Sequence, residues 1–128
     1  MNWDQKDIDD FFAAYSTCAL WSTTGTTPEG EELESLESYD LAEETEAEMR
    51  QDCLDFINAQ KVLLNAACDR ANYDIEHAGH DFWLNRCGHG AGFWDRGLGE
   101  LGDRLSDAAK VYGNVDLYIG DDGLVYQS

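Results

Sequence analysis

Basic residues are scarce in this chain: eight lysines and arginines stand against twenty-seven acids, for a formal net charge of -19. A field of that sign repels DNA, RNA and anionic lipid, which argues against direct nucleic-acid binding without a metal bridge and against a membrane surface. It attracts basic proteins instead. Long apolar runs are also missing, and no stretch approaches the roughly 20 residues that cross a bilayer. The opening MNWDQKDIDD is polar and acidic where a secretory signal is basic and then apolar, so a cytoplasmic protein is expected. Cys18, Cys53, Cys68 and Cys87 are widely separated and form no CxxC pair. Two of them fall on apolar helical faces, and reduced, buried thiols are the expectation over disulfides or zinc ligands. No phosphate loop, nucleophile motif or metal-ligand spacing occurs, so neither cofactor nor metal is expected.

The charge that is present is uneven. Residues 1–60 hold sixteen acids and two bases, whereas residues 61–128 hold eleven acids and six bases. The field therefore belongs mainly to the N-terminal half. With 128 residues, of which 43% are hydrophobic, the chain can bury about two thirds of its unfolded surface around one core. A single domain over 1–128 is expected, an acidic helical half at 1–70 followed by a distinctive block and a hairpin at 71–128.

Ile8, Phe11, Phe12, Tyr15 and Ala19 recur at three- and four-residue spacings and predict an amphipathic helix over 4–20. Its early acids Asp4, Asp7, Asp9 and Asp10 suit the positive end of the helix dipole. Residues 22–37, rich in Thr, Ser, Gly and Glu and holding the only proline, read as an exposed loop. Leu33 and Leu36 would equally serve one extra helical turn; in either case Glu29, Glu31, Glu32, Glu34 and Glu37 face solvent. From a cap at Ser38, Leu41, Met49, Cys53, Phe56, Ile57, Leu63 and Leu64 predict the longest helix, reaching almost to Cys68. Glu43, Glu44, Glu46, Glu48, Asp52 and Asp55 lie mainly on its outward face with few bases three or four positions away.

Asp74 is placed to cap a short helix through Ile75, Ala78 and Phe82, ending near Cys87 and Gly88, while a strand over 80–86 is the competing reading. Residues 91–95 read as extended, and Leu98, Leu101, Leu105, Ala108, Ala109 and Tyr112 predict a further helix stopped by Gly113. VDLYIG and LVYQ around Gly-Asp-Asp-Gly form a hairpin signal. Helices first and a small antiparallel sheet last make the expected class α+β, N-terminal amphipathic helices packed with a small C-terminal sheet.

The densest block is Gly79–Gly99, GHDFWLNRCGHGAGFWDRGLG, with six of the twelve glycines and two of the four tryptophans. His80, Asp81, Arg86, His89, Asp95 and Arg96 supply an acid, a base and an anion clamp, and Trp83 and Trp94, with Phe82 and Phe93, offer faces for a flat ligand. These are the candidate pocket residues. The competing structural reading puts Phe82 and Trp94 in the core and pairs Arg86 and Arg96 with Asp81 and Asp95. His77 and His80, three apart, together with His89 and Asp81 or Cys87 would supply metal-ligand types, but without a recognised spacing.

This block, continued by ELGDRL and VDLYIGDDG, resembles a family of small proteins encoded by bacteriophages and related mobile elements, in which GHDFWLTRNGHGAGFWDRG recurs. A weaker likeness extends to CALWS at Cys18 to Ser22 and to the helix expected from Ser38. Asn85 and Cys87 stand where the family's block has threonine and asparagine, so the likeness gives neither position a role. It implies a phage accessory protein in bacterial cytoplasm, and no catalytic residue.

The leading expectation is accordingly an acidic interaction protein. Glu43, Glu44, Glu46, Glu48, Asp52 and Asp55 would bind a basic host protein, in the concrete form of a nucleic-acid mimic that blocks a defence or nucleic-acid-handling system. One alternative is a small-ligand, nucleotide-binding or hydrolytic domain using Gly79–Gly99, although the lack of a nucleophile motif weighs against catalysis. Another is a structural homo-oligomer joined through exposed Trp and Tyr.

Overall fold

A computed structural model describes residues 2–128. Asp4 caps helix α1 (Gln5–Ser22) by accepting from the Asp7 amide, while the Asp7 carboxylate accepts from the Asp4 amide. This reciprocal capping box fixes the start that the sequence suggested. After α1 the expected loop is partly ordered: β1 (Gly25–Thr26) and β2 (Glu32–Leu33) pair antiparallel, and Leu36 beyond them is fully buried. The Thr27 hydroxyl accepts from the Glu31 amide at 3.0 Å and closes the turn. All five glutamates of this segment are exposed, as the sequence requires.

The expected cap at Ser38 is not used. Residues 40–42 run extended beside the C-terminal strand, with the Val125 amide donating to Asp40 and the Ala42 amide donating to Val125, each at 2.9 Å. Helix α2 (Glu43–Ala59) starts only where that pairing ends, and its N-cap Ala42 makes no side-chain bond. The single long helix is also two. The backbone departs from helical geometry at Gln60 (φ -113°, ψ 22°), and α3 (Lys61–Cys68) follows as a separate helix that buries Leu64 and Ala67. At 18 residues α1 is longer than the 17-residue α2.

Asp74 caps α4 (Ile75–Arg86), so the helix reading of this segment holds over the strand. Residues 93–95 form a 3-10 turn instead of an extended segment. Helix α5 (Glu100–Lys110) follows, and β3 (Leu117–Ile119) and β4 (Val125–Gln127) pair antiparallel across the Gly-Asp-Asp-Gly turn. The class is α+β: the described residues form five helices and two small antiparallel sheets, one of the sheets between α1 and α2. Among the described residues no helix is long and apolar enough to cross a membrane.

One cluster of buried side chains joins these elements. At its centre Phe56 of α2 stacks on Phe82 of α4, ring centroids 4.1 Å apart, with Phe11, Tyr15, Phe93 and Tyr112 around them. Burying aromatic surface of this extent dominates the stability of so small a core. Helix α4 lies directly on α1 because Gly79 has no side chain: a Cβ there would overlap the Phe11 carbonyl oxygen.

Candidate functional site

Most of the glycine- and aromatic-rich block is occupied in holding itself together. Trp83 is 2% exposed, donates from Nε1 to the Ser22 hydroxyl at 2.9 Å, and meets Tyr15 edge-on. Its ring has no free face for a ligand. Asn85 Oδ1 accepts from the Phe93 amide at 2.8 Å and from the Ser106 hydroxyl at 3.2 Å, and that hydroxyl accepts from the Trp94 amide. Gly92, at φ 148°, passes so close to the Asn85 amide that a side chain there would collide with it. The glycine bend and the buried amide thus specify one another.

The two arginines have opposite surroundings. Arg86 is buried and uses its donors on the Gly113 and Tyr112 carbonyls, the Tyr15 hydroxyl and Asp52 Oδ2, the last at 2.7 Å. It does not pair with Asp95, which is exposed. Arg96 grips Asp81 through Nη2 at 2.8 Å and Nε at 3.1 Å, and Tyr73 donates to the same carboxylate at 2.9 Å. Asp81 is fully buried, and burial pushes its carboxyl pKa up. The charge-assisted bonds from Arg96, with the Tyr73 hydroxyl, outweigh burial and hold it below the usual carboxylate range. An anion clamp needs an unpaired guanidinium, and neither arginine has one.

Phe82 is core as expected, but Trp94 is not: it is 47% exposed, and Phe93 takes the buried position. His89 is exposed on the loop after α4, away from His77 and His80. Among the described residues no three His, Cys, Asp or Glu side chains are grouped to hold a metal ion. The four thiols are free, with Cys18 and Cys53 buried. Burial, reinforced by nearby Asp81, pushes the Cys18 thiol up to about 12.

What the block does shape is one wall of a groove of about 770 Å³ between α1 and α4. Ala13, Ala14 and Thr17 of α1 line it along one helical stripe, with Asp10 and Trp21 further along the same stripe. Glu76, His77 and His80 of α4 face them, with Asp74 and Arg96 also lining the groove. Of the candidate pocket residues only His80 and Arg96 line this groove, with Asp81 buried behind Arg96. The α1 residues were missed because small side chains between Asp10 and Trp21 read as an ordinary solvent face. His80 Nδ1 is shielded from water and lies 3.8 Å from Asp81, beyond hydrogen-bond reach.

The acidic residues divide as well. Glu43, Glu44, Glu48 and Asp55 are exposed on α2, and Asp55 accepts from Gln51. Glu46 is half-buried and lies 3.7 Å from Arg50, which also bonds Asp9 and covers the Phe12 ring. Asp52 faces inward to Arg86. Among the described residues no base forms an ion pair with Glu43, Glu44, Glu48 or any of the five hairpin glutamates. The C-terminal turn adds acids outside the α2 run that the sequence singles out. Tyr126 donates to Asp122 at 2.5 Å, and this bond, with the Glu44 charge nearby, pushes the phenol up to about 12. Tyr118 stacks on Tyr126 and stays 50% exposed beside that turn.

No protein family, curated protein or solved structure matches the chain.

Proposed function

We propose that this chain is an acidic binding protein whose α2 and β1–β2 surfaces engage a basic protein, with Asp121, Asp122 and Glu44 extending the charged face around Tyr118. The observation that carries this reading is the set of eight glutamates, Glu29 to Glu37 and Glu43, Glu44 and Glu48, that are exposed and free of ion pairs. Unpaired like charges on one helix repel at a cost of about 0.2–0.5 kcal/mol per i,i+4 pair, and a cationic partner removes that cost. Glu44 and Glu48 are one helical turn apart, about 6 Å along the axis. Tyr118 supplies the kind of exposed aromatic anchor on which binding energy concentrates.

The finer form of the proposal is a nucleic-acid mimic: the carboxylates occupy a basic groove on a nucleic-acid-handling host protein and exclude its substrate. The likeness of Gly79–Gly99 to phage-encoded proteins supports an accessory role in bacterial cytoplasm. A catalytic role for the block is disfavoured, because Trp83, Asp81, Arg86 and Arg96 are all engaged with other parts of the chain.

The test is capture of the tagged protein from nuclease-treated bacterial lysate beside an E44Q/E48Q variant, with duplex DNA as competitor. Recovery of a basic protein that DNA displaces, and that the double variant retains on the order of tenfold less well, supports the reading. Recovery of the bait alone, or of a partner held equally by both proteins, contradicts it.

A further inference from the structure

The α1–α4 groove has a polarity that the proposed function leaves unused. Its lining carries Asp10, Asp74 and Glu76 against Arg96, and Arg96 is neutralised by its two-pronged bond to the buried Asp81. Glu76 has no ion-pair partner among the described residues. Among the described residues Asp10 pairs with Lys6 alone, a side chain 81% exposed and 2.7 Å away, and exposed pairs of this kind exchange readily. Asp74 is kept ionised by the His77 amide and imidazole, which hold its pKa down. The groove therefore favours a cation. At the other end of the stripe Trp21 is 61% exposed, and an indole face is the best aromatic acceptor for a cation. Between them Ala13 and Ala14 present an apolar floor suited to an aliphatic stem.

Asp10 and Trp21 are eleven positions apart, which at the helical rise is about 16 Å, the span of about five residues of extended chain. We infer that the groove receives an extended segment of the basic partner carrying two cationic side chains about four residues apart, an even spacing that puts both on one side of the extended chain while their flexible stems cover the rest of the span, one among Asp10, Asp74 and Glu76 and the other on Trp21. This rests on the reading of the chain as a binder of basic proteins. It adds to it a second contact whose geometry, unlike that of the acidic face, discriminates between sequences of equal charge.

The experiment is an amide and indole NMR titration of the intact protein with three peptides. One is acetyl-Arg-Gly-Ser-Gly-Arg-amide, the second has both arginines adjacent, and the third replaces both by citrulline. The expected result is that the spaced peptide shifts the Trp21 indole and the Gly79 amide. The adjacent-arginine peptide should bind there about two- to fivefold more weakly, the effect of one exposed cation–π contact. The citrulline peptide should leave these signals unmoved. Trp21→Ala and Glu76→Gln, both at exposed or half-buried side chains, should each weaken groove binding of the spaced peptide, while E44Q/E48Q should leave it within about twofold, as expected for a separate site. Equal shifts from all three peptides, or shifts confined to Glu29–Glu48, would overturn the groove assignment and leave the acidic face untouched. Groove shifts that persist while no salt-sensitive partner exists would instead sink the wider binding proposal.

Discussion

Arg86 of α4 donates to Asp52 of α2 at 2.7 Å from a side chain only 5% exposed. The two residues come from the two stretches that look most functional in the sequence, the glycine-rich block and the acidic run, and the fold uses them on each other. Arg86 also ties Tyr15 of α1 and the carbonyls that follow α5, so one guanidinium connects four helices.

Removing that guanidinium strands Asp52 and leaves two carbonyls without their donor. Arg86→Ala should lower unfolding free energy by about 3–5 kcal/mol, whereas Asp52→Asn, at a side chain that faces Arg86 but is still 31% exposed, should cost about 1–2 kcal/mol. Urea denaturation of the two variants checks the order. Equal losses would show that the carboxylate, and not the carbonyl contacts, is the main partner.

Asp81 makes stability depend on pH in a defined direction. Its folded pKa lies below the ordinary value of 3.8, so its contribution is fully present above that value and is lost as pH falls through the lower, folded pKa. Asp74 and Asp122 act with the same sign. Asp81→Asn should therefore be destabilised at pH 7 by about 3 kcal/mol and lose less stability than the parent on acidification below about pH 4. Parallel curves for parent and variant would remove Asp81 from this account.

Glycine substitutions separate packing from mere turn composition. Gly79→Ala pushes a methyl into the Phe11 carbonyl and should destabilise by about 1–3 kcal/mol, with a larger loss for Gly92→Ala at φ 148° against Asn85. Gly90 has open space around it and no positive φ, and Gly90→Ala should stay within about 0.5 kcal/mol of the parent. Thermal unfolding of the three variants gives the comparison.

The thiols should follow burial. Burial pushes Cys53 well above 9.0, Cys18 up to about 12 and Cys68 up to about 11. Maleimide labelling at pH 8 followed by mass spectrometry should leave Cys53 and Cys18 unmodified in the folded protein and label all four cysteines in urea.

Where local pattern decides structure, the sequence is readable. The faces of α1 and α5 show as helical periods, Asp74 as the cap that starts α4, and Gly120–Gly123 as a hairpin turn, whereas α4 is buried on almost every side from Ala78 to Arg86 and carries little period of its own. The start of α2 is not local: it is set by hydrogen bonds between Val125 and residues 40 and 42, more than eighty positions away. Strands of two residues, as in β1 and β2, have no period to detect. The same limit applies to the site. Exposure of Glu43, Glu44 and Glu48 follows from the α2 pattern, but that Asp52 turns inward depends on where α4 delivers Arg86. Nor does the α1 stripe announce a groove until Gly79 brings α4 against it.

Charge removal on α2 should separate binding from folding. Glu44 lies in the first turn, where the helix dipole is worth about 0.3–1 kcal/mol, and this gain roughly offsets its repulsion from Glu48. E44Q/E48Q should keep the parent's stability within about 0.5 kcal/mol by urea denaturation, so that any loss of affinity reports the interface.

The most direct measurement is the dissociation constant of the complex with the captured basic partner between about 50 and 200 mM salt, for the parent and for E44Q/E48Q. The affinity of the parent should fall linearly with salt on logarithmic axes, and the slope of the double variant should be shallower. A complex insensitive to salt, or two proteins with the same slope, would contradict binding through the acidic face.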